Sequence, residues 1–139
     1  MTGVVLDASI ALTWCFIDEQ TEQTNQILID IQHDGAYVPG LWKLEVGNIL
    51  VTAERKGRIS YADINKFLSL IEQLNIKVDN EASIRGFHEI LSIAYTQKLT
   101  TYDATYLELA MRMGLPLASK DKHLCEVAKK LGAKILPSY

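Results

Sequence analysis

Four carboxylates stand where a folded chain gains little from them unless they act together. Asp7 follows the apolar run Gly3-Val4-Val5-Leu6, and Asp121 comes two residues after Leu115-Pro116-Leu117-Ala118-Ser119. Asp103 opens an apolar helical segment, and Glu45 lies inside another. A carboxylate that ends a wholly apolar strand has to be hydrogen-bonded, paired or metal-bound, because leaving it bare costs several kcal/mol. Acids that converge also repel one another unless a cation neutralises them. Hard cations such as Mg2+ and Mn2+ take oxygen ligands. A site of that kind positions a phosphodiester, activates a water and stabilises the departing oxygen. His33, His88 and His123 are scattered and are read as incidental, so a cation rather than an imidazole is expected to activate the water.

Taken singly, three of the four acids have plainer readings. Asp103 and Asp121 each suit a helix cap. Glu45 would serve as a surface glutamate paired with a lysine. Asn48, three residues on, shares its helical face. Asp7 has no such alternative.

The elements that must position these acids can be read from apolar periodicity. Residues 3–6 form a buried strand and 8–16 a short helix. A helix over 22–32 ends at Asp34-Gly35, and 37–39 is a strand stopped by Pro39. Residues 41–53 form a helix, and Gly57 supplies a left-handed residue after its end. Ser60-Tyr61-Ala62-Asp63 resembles a capping box with Asp in the reciprocal position, opening a helix with Ile64, Phe67, Leu68 and Ile71. Then come a strand at 76–78, a helix over 81–97 and a helix from Asp103 to Met113. A strand over 115–119, a helix from Asp121 to Leu131 closed by Gly132, and a last strand at 134–136 complete the chain. Short apolar strands separated by helices predict an α/β fold, with a central parallel sheet flanked by helices. In open sheets of this kind ligands collect beyond the carboxyl ends of the strands, where Asp7 and Asp121 fall.

The bulk properties narrow the class. The 139 residues are one domain's worth, long enough to bury about two-thirds of the unfolded surface. The longest apolar stretch, 10–17, is far short of a membrane span, and the N-terminus lacks the basic and apolar regions of a signal peptide. A cytoplasmic protein with no membrane partner is expected. Cys15 and Cys125 sit in apolar surroundings outside any CxxC pattern, so no zinc site is expected. The net charge of −3 disfavours a protein that grips nucleic acid over its whole surface. The charge is uneven, however. Residues 1–42 contain no Lys or Arg. Arg112, Lys120, Lys122, Lys129, Lys130 and Lys134 crowd the last part of the chain, and Arg55, Lys56 and Arg58 form a second cluster. These clusters are either solvated faces or a patch that contacts phosphates.

Four segments carry a resemblance. Val5-Leu6-Asp7-Ala8-Ser9-Ile10-Ala11-Leu12 resembles the opening of the PIN-domain family. Leu44-Glu45-Val46-Gly47-Asn48-Ile49-Leu50 is similar to its second motif, an acid followed three later by Asn. Thr101-Tyr102-Asp103-Ala104-Thr105-Tyr106 is similar to the third, and Leu117-Ala118-Ser119-Lys120-Asp121 to the fourth. Order, spacing and length agree over essentially the whole chain, which resembles most the VapC-like toxins of type II toxin–antitoxin pairs. The resemblance implies a three-layer sandwich and a single nuclease domain over 1–139. It also implies Mg2+- or Mn2+-dependent hydrolysis of RNA by Asp7, Glu45, Asp103 and Asp121. Asp7 and Asp103 would be metal ligands. Glu45 would bind a second metal or hold the attacking water. Asp121 would act directly or through water. Ser9, Asn48 and Ser119 would orient the acids or position phosphate. A homodimer and a cognate antitoxin, with its tail in the acidic groove, are implied too. Relatives often carry a basic residue after the Ala-Leu of the first motif, where this chain has Thr13.

Two other acidic α/β folds fit less well. A receiver domain needs paired acids after the first strand, and Asp7 has no acidic neighbour. A haloacid-dehalogenase-type phosphatase needs Asp-x-Asp, and Ser9 stands in the second place. The remaining alternative is an inactive RNA- or partner-binding module with the same fold.

Overall fold

The computed structural model describes residues 2–138. Strand β1 (Val4–Leu6) has no polar side to offer solvent, so it is stable only where both faces of a sheet are covered. All three of its residues are buried. Strands β2 (Ala36–Pro39) and β3 (Ile76–Asp79) lie on one side of it, and β4 (Leu117–Ala118) and β5 (Ile135–Leu136) on the other. The order is β3-β2-β1-β4-β5 and every pair is parallel. Helices cover the sheet, giving the α/β sandwich expected.

The chain lays β1, β2 and β3 outward in one direction, then returns to set β4 against the free side of β1. That reversal opens a crevice beyond the carboxyl ends of β1 and β4. Val5 pairs with both Tyr37 and Leu117, so β1 and β4 end level and β2 runs one residue further.

Helix α7 (Thr101–Met113) is the internal strut. Every residue from Ala104 to Ala110 is buried, and the helix packs across β1, β2 and β4. A helix apolar on nearly all sides belongs in the interior. Burying Leu107 and Leu109 contributes about 2 kcal/mol each relative to exposure. The remaining helices are α1 (Ala8–Ala11), α2 (Glu22–Asp34), α3 (Trp42–Arg55), α4 (Tyr61–Glu72), α5 (Ala82–Arg85), α6 (Leu91–Gln97) and α8 (Lys122–Lys130). The box at Ser60 and Asp63 closes reciprocally at 3.0 and 3.1 Å, and Gly57 has φ +73°.

Three boundaries depart most from expectation, and α7 begins at Thr101, two residues before Asp103. The helix over 8–16 is only α1, followed by tight 3-10 turns at Leu12–Trp14 and Ile17–Glu19. The helix over 81–97 is broken by a π-helical stretch, Gly86–Ile90, beginning at the one residue without a side chain to hold the helix. The strand over 115–119 shrinks to two residues, because the Leu115 amide donates to Ala110 O and closes the end of α7 beyond Gly114.

Candidate functional site

Asp7 is buried at the carboxyl end of β1, and its surroundings explain how a carboxylate survives there. Ser119 Oγ donates to its Oδ2 at 2.6 Å and Ser9 Oγ donates to the same oxygen at 2.8 Å. Both hydroxyls are held in turn. Ser9 Oγ accepts from the Lys120 amide at 2.9 Å, and Ser119 Oγ accepts from the Asp121 amide at 3.0 Å. The loops after β1 and β4 are thus tied together through one carboxylate. Oδ2 is satisfied twice, while no side chain among the described residues donates to Oδ1. Burial pushes the Asp7 pKa up, the two serines pull it down, and the charge of Asp121 pushes it up again.

Asp103 does not cap its helix. Thr100 does, its Oγ1 accepting from the Asp103 amide at 3.1 Å, so the Asp103 side chain is freed from that task. Burial, then the charges of Asp121 and Asp7, raise its pKa from an ordinary 3.8 to about 6. Asp121 does cap α8, accepting from the Leu124 amide through Oδ1 at 2.9 Å. Capping and site membership are compatible, since a carboxylate has a second oxygen.

Glu45 has no lysine partner. The buried Tyr106 donates its hydroxyl to Glu45 Oε1 at 2.5 Å, bridging α7 to α3. Burial and the charges of Asp7 and Asp103 raise the Glu45 pKa, opposed by that hydrogen bond. Burial and Glu45 hold the phenol far above its usual range, so it remains a donor. Tyr106 went unremarked in the sequence. Its signal was there: it lies three residues after Asp103 on the same helix face, with a polar tip on an otherwise apolar helix.

The structure brings together Asp7, Glu45, Asp103 and Asp121, each within electrostatic reach of at least one other. Ser9 and Ser119 join them through Asp7. Asn48 lies exposed one turn after Glu45 on α3. Thr13 is fully buried with its hydroxyl turned back to Ile10 O at 2.7 Å, so it offers nothing to a phosphate. His123 is closer to the site than its sequence suggested. Its charge favours the ionised form of Asp103, and its Nε2 lies 3.1 Å from Lys98 O. Two members of the basic clusters are paired with acids. Arg58 pairs with Glu19 at 2.6 Å and stacks 3.9 Å from the Phe16 ring, and Arg112 binds Asp79, Glu81 and Glu108.

The donor set suits a hard divalent cation in charge and atom type. No Lys or Arg pairs with any of the four acids among the described residues. Three of the four carboxyls have raised pKa values through burial and mutual repulsion, which a cation relieves. No three His, Cys, Asp or Glu side chains among the described residues already stand arranged around a single ion position. Asp103 and Glu45 are only partly buried, which leaves room for their side-chain torsions to adjust.

The chain is similar to known proteins. A relative from Pyrobaculum aerophilum named Exonuclease VapC9 is 34% identical over 89 residues, which is 64% of this chain. That match spans 62% of the relative's length, less than two thirds of it. A structure described as the crystal structure of PAE2754 from Pyrobaculum aerophilum superposes with a TM-score of 0.70 at 24% identity, over 96% of this chain and 90% of that one, a likeness of fold. The model of the family described as PIN domain matches residues 4–130. Because that span runs from β1 to the end of α8 and takes in every acid at the crevice, the chain belongs to the PIN-domain family.

Proposed function

We propose that residues 1–139 form one nuclease domain that hydrolyses RNA phosphodiester bonds with Mg2+ or Mn2+, acting in the cytoplasm as the toxin of a toxin–antitoxin pair. The observation that carries this reading is the un-neutralised group of Asp7, Glu45, Asp103 and Asp121 beyond the ends of β1 and β4. The name of the VapC9 relative points the same way.

Asp7 and Asp103 would hold the ion, with Asp121 and Glu45 completing the set directly or through water. A bound divalent cation supplies a lowered water pKa and charge neutralisation at the phosphodiester. The serines favour the ionised form of Asp7 against its burial and hold Oδ2 in place. Tyr106 holds one oxygen of Glu45, leaving the other to orient a water. Burial of Asp7 and Ser119 excludes competing solvent from the inner wall.

A homodimer is part of this reading. Ile84, Phe87, Leu91 and Tyr95 lie exposed along α5, the π-helical stretch and α6, an apolar strip that a second copy would cover. A cognate antitoxin would seat its tail in the acidic groove. No helix among the described residues is long and apolar enough to cross a membrane.

One observation favours the inactive binding module: the acids are not already arranged around an ion. A single experiment separates the two. Wild type and Asp7→Asn are incubated with RNA in Mg2+, in Mn2+ and in excess EDTA. The nuclease reading expects cleavage by wild type with either metal, and none in EDTA or with Asp7→Asn at unchanged fold. Cleavage that survives both EDTA and Asp7→Asn refutes the metal mechanism. Binding of RNA without cleavage under every condition assigns the inactive module.

A further inference from the structure

The acids of the crevice repel the polyanion they are proposed to cut, so something beside them has to attract it. Lys120 and Lys122 flank Asp121, and both line a groove of about 410 Å³ along α8, with Lys129 further down the helix. Cys125 and Ile135 give the groove an apolar floor. An adjoining cavity of about 380 Å³ shares Lys129 and Ile135 with it and adds Lys134 and the chain near Ser138. The two together lead away from Asp121 toward the β5 edge of the sheet. From Lys122 to Lys129 the helix rises about 10 Å.

Freedom from acid partners separates the track lysines from Arg58, Arg85 and Arg112, whose charge is spent on carboxylates. Lys120 shares its charge with Glu19 at 3.3 Å. Lys122, Lys129 and Lys134 form no ion pair among the described residues. Glu126 is the single acid lining either cavity. The helix N-terminus at Asp121 points one end of this basic track at the acidic crevice.

We propose that the face of α8 bearing Lys122 and Lys129, continued by Lys134, is the track on which a single strand of RNA lies as it leaves the acidic crevice. The ammonium groups meet successive phosphates along the groove. This rests on the nuclease reading above and specifies the course of its substrate. The recognition is of backbone charge, so it carries no sequence preference of its own.

The test measures binding of a fluorescent single-stranded RNA of mixed sequence in excess EDTA, across a salt series. The triple variant Lys122→Glu, Lys129→Glu, Lys134→Glu is compared with wild type. It is also compared with a control of equal charge change far from the track, Lys56→Glu, Lys66→Glu, Lys77→Glu. The track triple is expected to weaken binding about tenfold or more at low salt and to flatten the log–log salt slope by about 2, near 0.7 per lysine for single strands. The control triple is expected to shift binding far less. All these lysines are exposed, so folding is expected to survive; melting curves verify it, and Lys→Gln replacements at the three track positions serve should the charge reversals unfold the chain.

Equal affinity and slope in wild type and the track triple overturn the proposal while leaving metal-dependent cleavage untouched. Equal losses in the two triples overturn it too, since net charge alone would then explain binding. Polyglutamate binding that is lost in the track triple, with RNA binding intact, reassigns the groove to an acidic protein partner. Failure of wild type both to bind and to cleave RNA removes the nuclease reading along with the track.

Discussion

Helix α7 runs between two groups of four carboxylates that the protein treats in opposite ways. Around its C-terminal half stand Asp79, Glu81, Glu89 and Glu108, and two arginines serve them. Arg112 contacts Asp79 at 2.8 Å, Glu81 at 2.6 Å and Glu108 at 2.9 Å. Arg85 reaches Glu81, Glu89 and Glu108 at 3.5 to 4.0 Å. Around its N-terminal end stand Asp7, Glu45, Asp103 and Asp121, with no arginine or lysine paired to any of them among the described residues. Glu108 is as buried as Asp7, so depth is not the difference. The first group carries its own cations and can only hold the chain together. The second holds repulsion that a mobile cation would relieve, which is why it reads as a site.

The largest expected effect breaks the symmetry outright. Asp103→Asn should lower RNA cleavage by more than about 100-fold, beyond the loss usual for a residue that only supports a metal ligand, while leaving the metal-free melting temperature unchanged or higher. A variant that keeps near-full turnover would remove Asp103 from the reacting group. Arg112→Met should do the reverse. Removing Arg112 leaves the partly buried Asp79 without its cation and the buried Glu108 with only Arg85 at 4.0 Å, at a cost of about 3 kcal/mol in denaturant unfolding. Turnover per folded molecule should hardly change. A stability loss within error would show the network to be solvated decoration.

Tyr106→Phe sharpens the comparison at the one point where the site borrows support from the core. Loss of the donor to Glu45 should reduce turnover about 10- to 100-fold with KM for RNA little changed. The same change on a Glu45→Ala background should have almost no further effect, because the group it orients is gone. Multiplying losses in that double variant would mean that Tyr106 acts by packing alone.

The smallest effect is a pH dependence of the metal-free protein. The folded-state pKa of Asp103 is raised to about 6, above its unfolded value of 3.8. The folded state therefore binds more protons than the unfolded state between those values. Its penalty is present above about pH 6 and is relieved as the pH falls toward 3.8. Burial and repulsion act in the same sense on Asp7 and Glu45. In EDTA the melting temperature should climb as the pH is lowered from 7 to 5, and Asp103→Asn should flatten part of that climb. A melting temperature that falls steadily over the same range would contradict the stored repulsion.

Much of this fold was legible along the chain because its elements are locally encoded. Val4-Val5-Leu6 has no polar face, so it had to be an interior strand. Ser60 and Asp63 close their own box, and Gly57 takes the left-handed turn that its lack of a Cβ permits. The misread boundaries have separate causes. The start of β4 was displaced because the Leu115 amide is taken by Ala110 O, a competition between α7 and the strand for the same backbone group. The helix after Glu81 gives way to the π-helical stretch at Gly86, where no side chain holds it. The placement of side chains was less legible. Asn48 shares a motif with Glu45 yet points to solvent, and Arg112 belongs by sequence to a basic cluster yet is spent on three acids.

The residue types and their order along the chain were enough to mark Asp7 as a carboxylate in need of partners and to set strand ends beside Asp7 and Asp121, because periodicity and apolar runs are local properties. What only the tertiary structure decided was which groups would answer those needs. Two serines, one of them 112 residues away, satisfy one oxygen of Asp7. A phenol 61 residues away holds Glu45, and Thr100 takes over the cap that Asp103 was free to make. Such contacts join positions distant in sequence, and they depend on strand order and on the level at which strand ends stop. Local pattern carries no information about either.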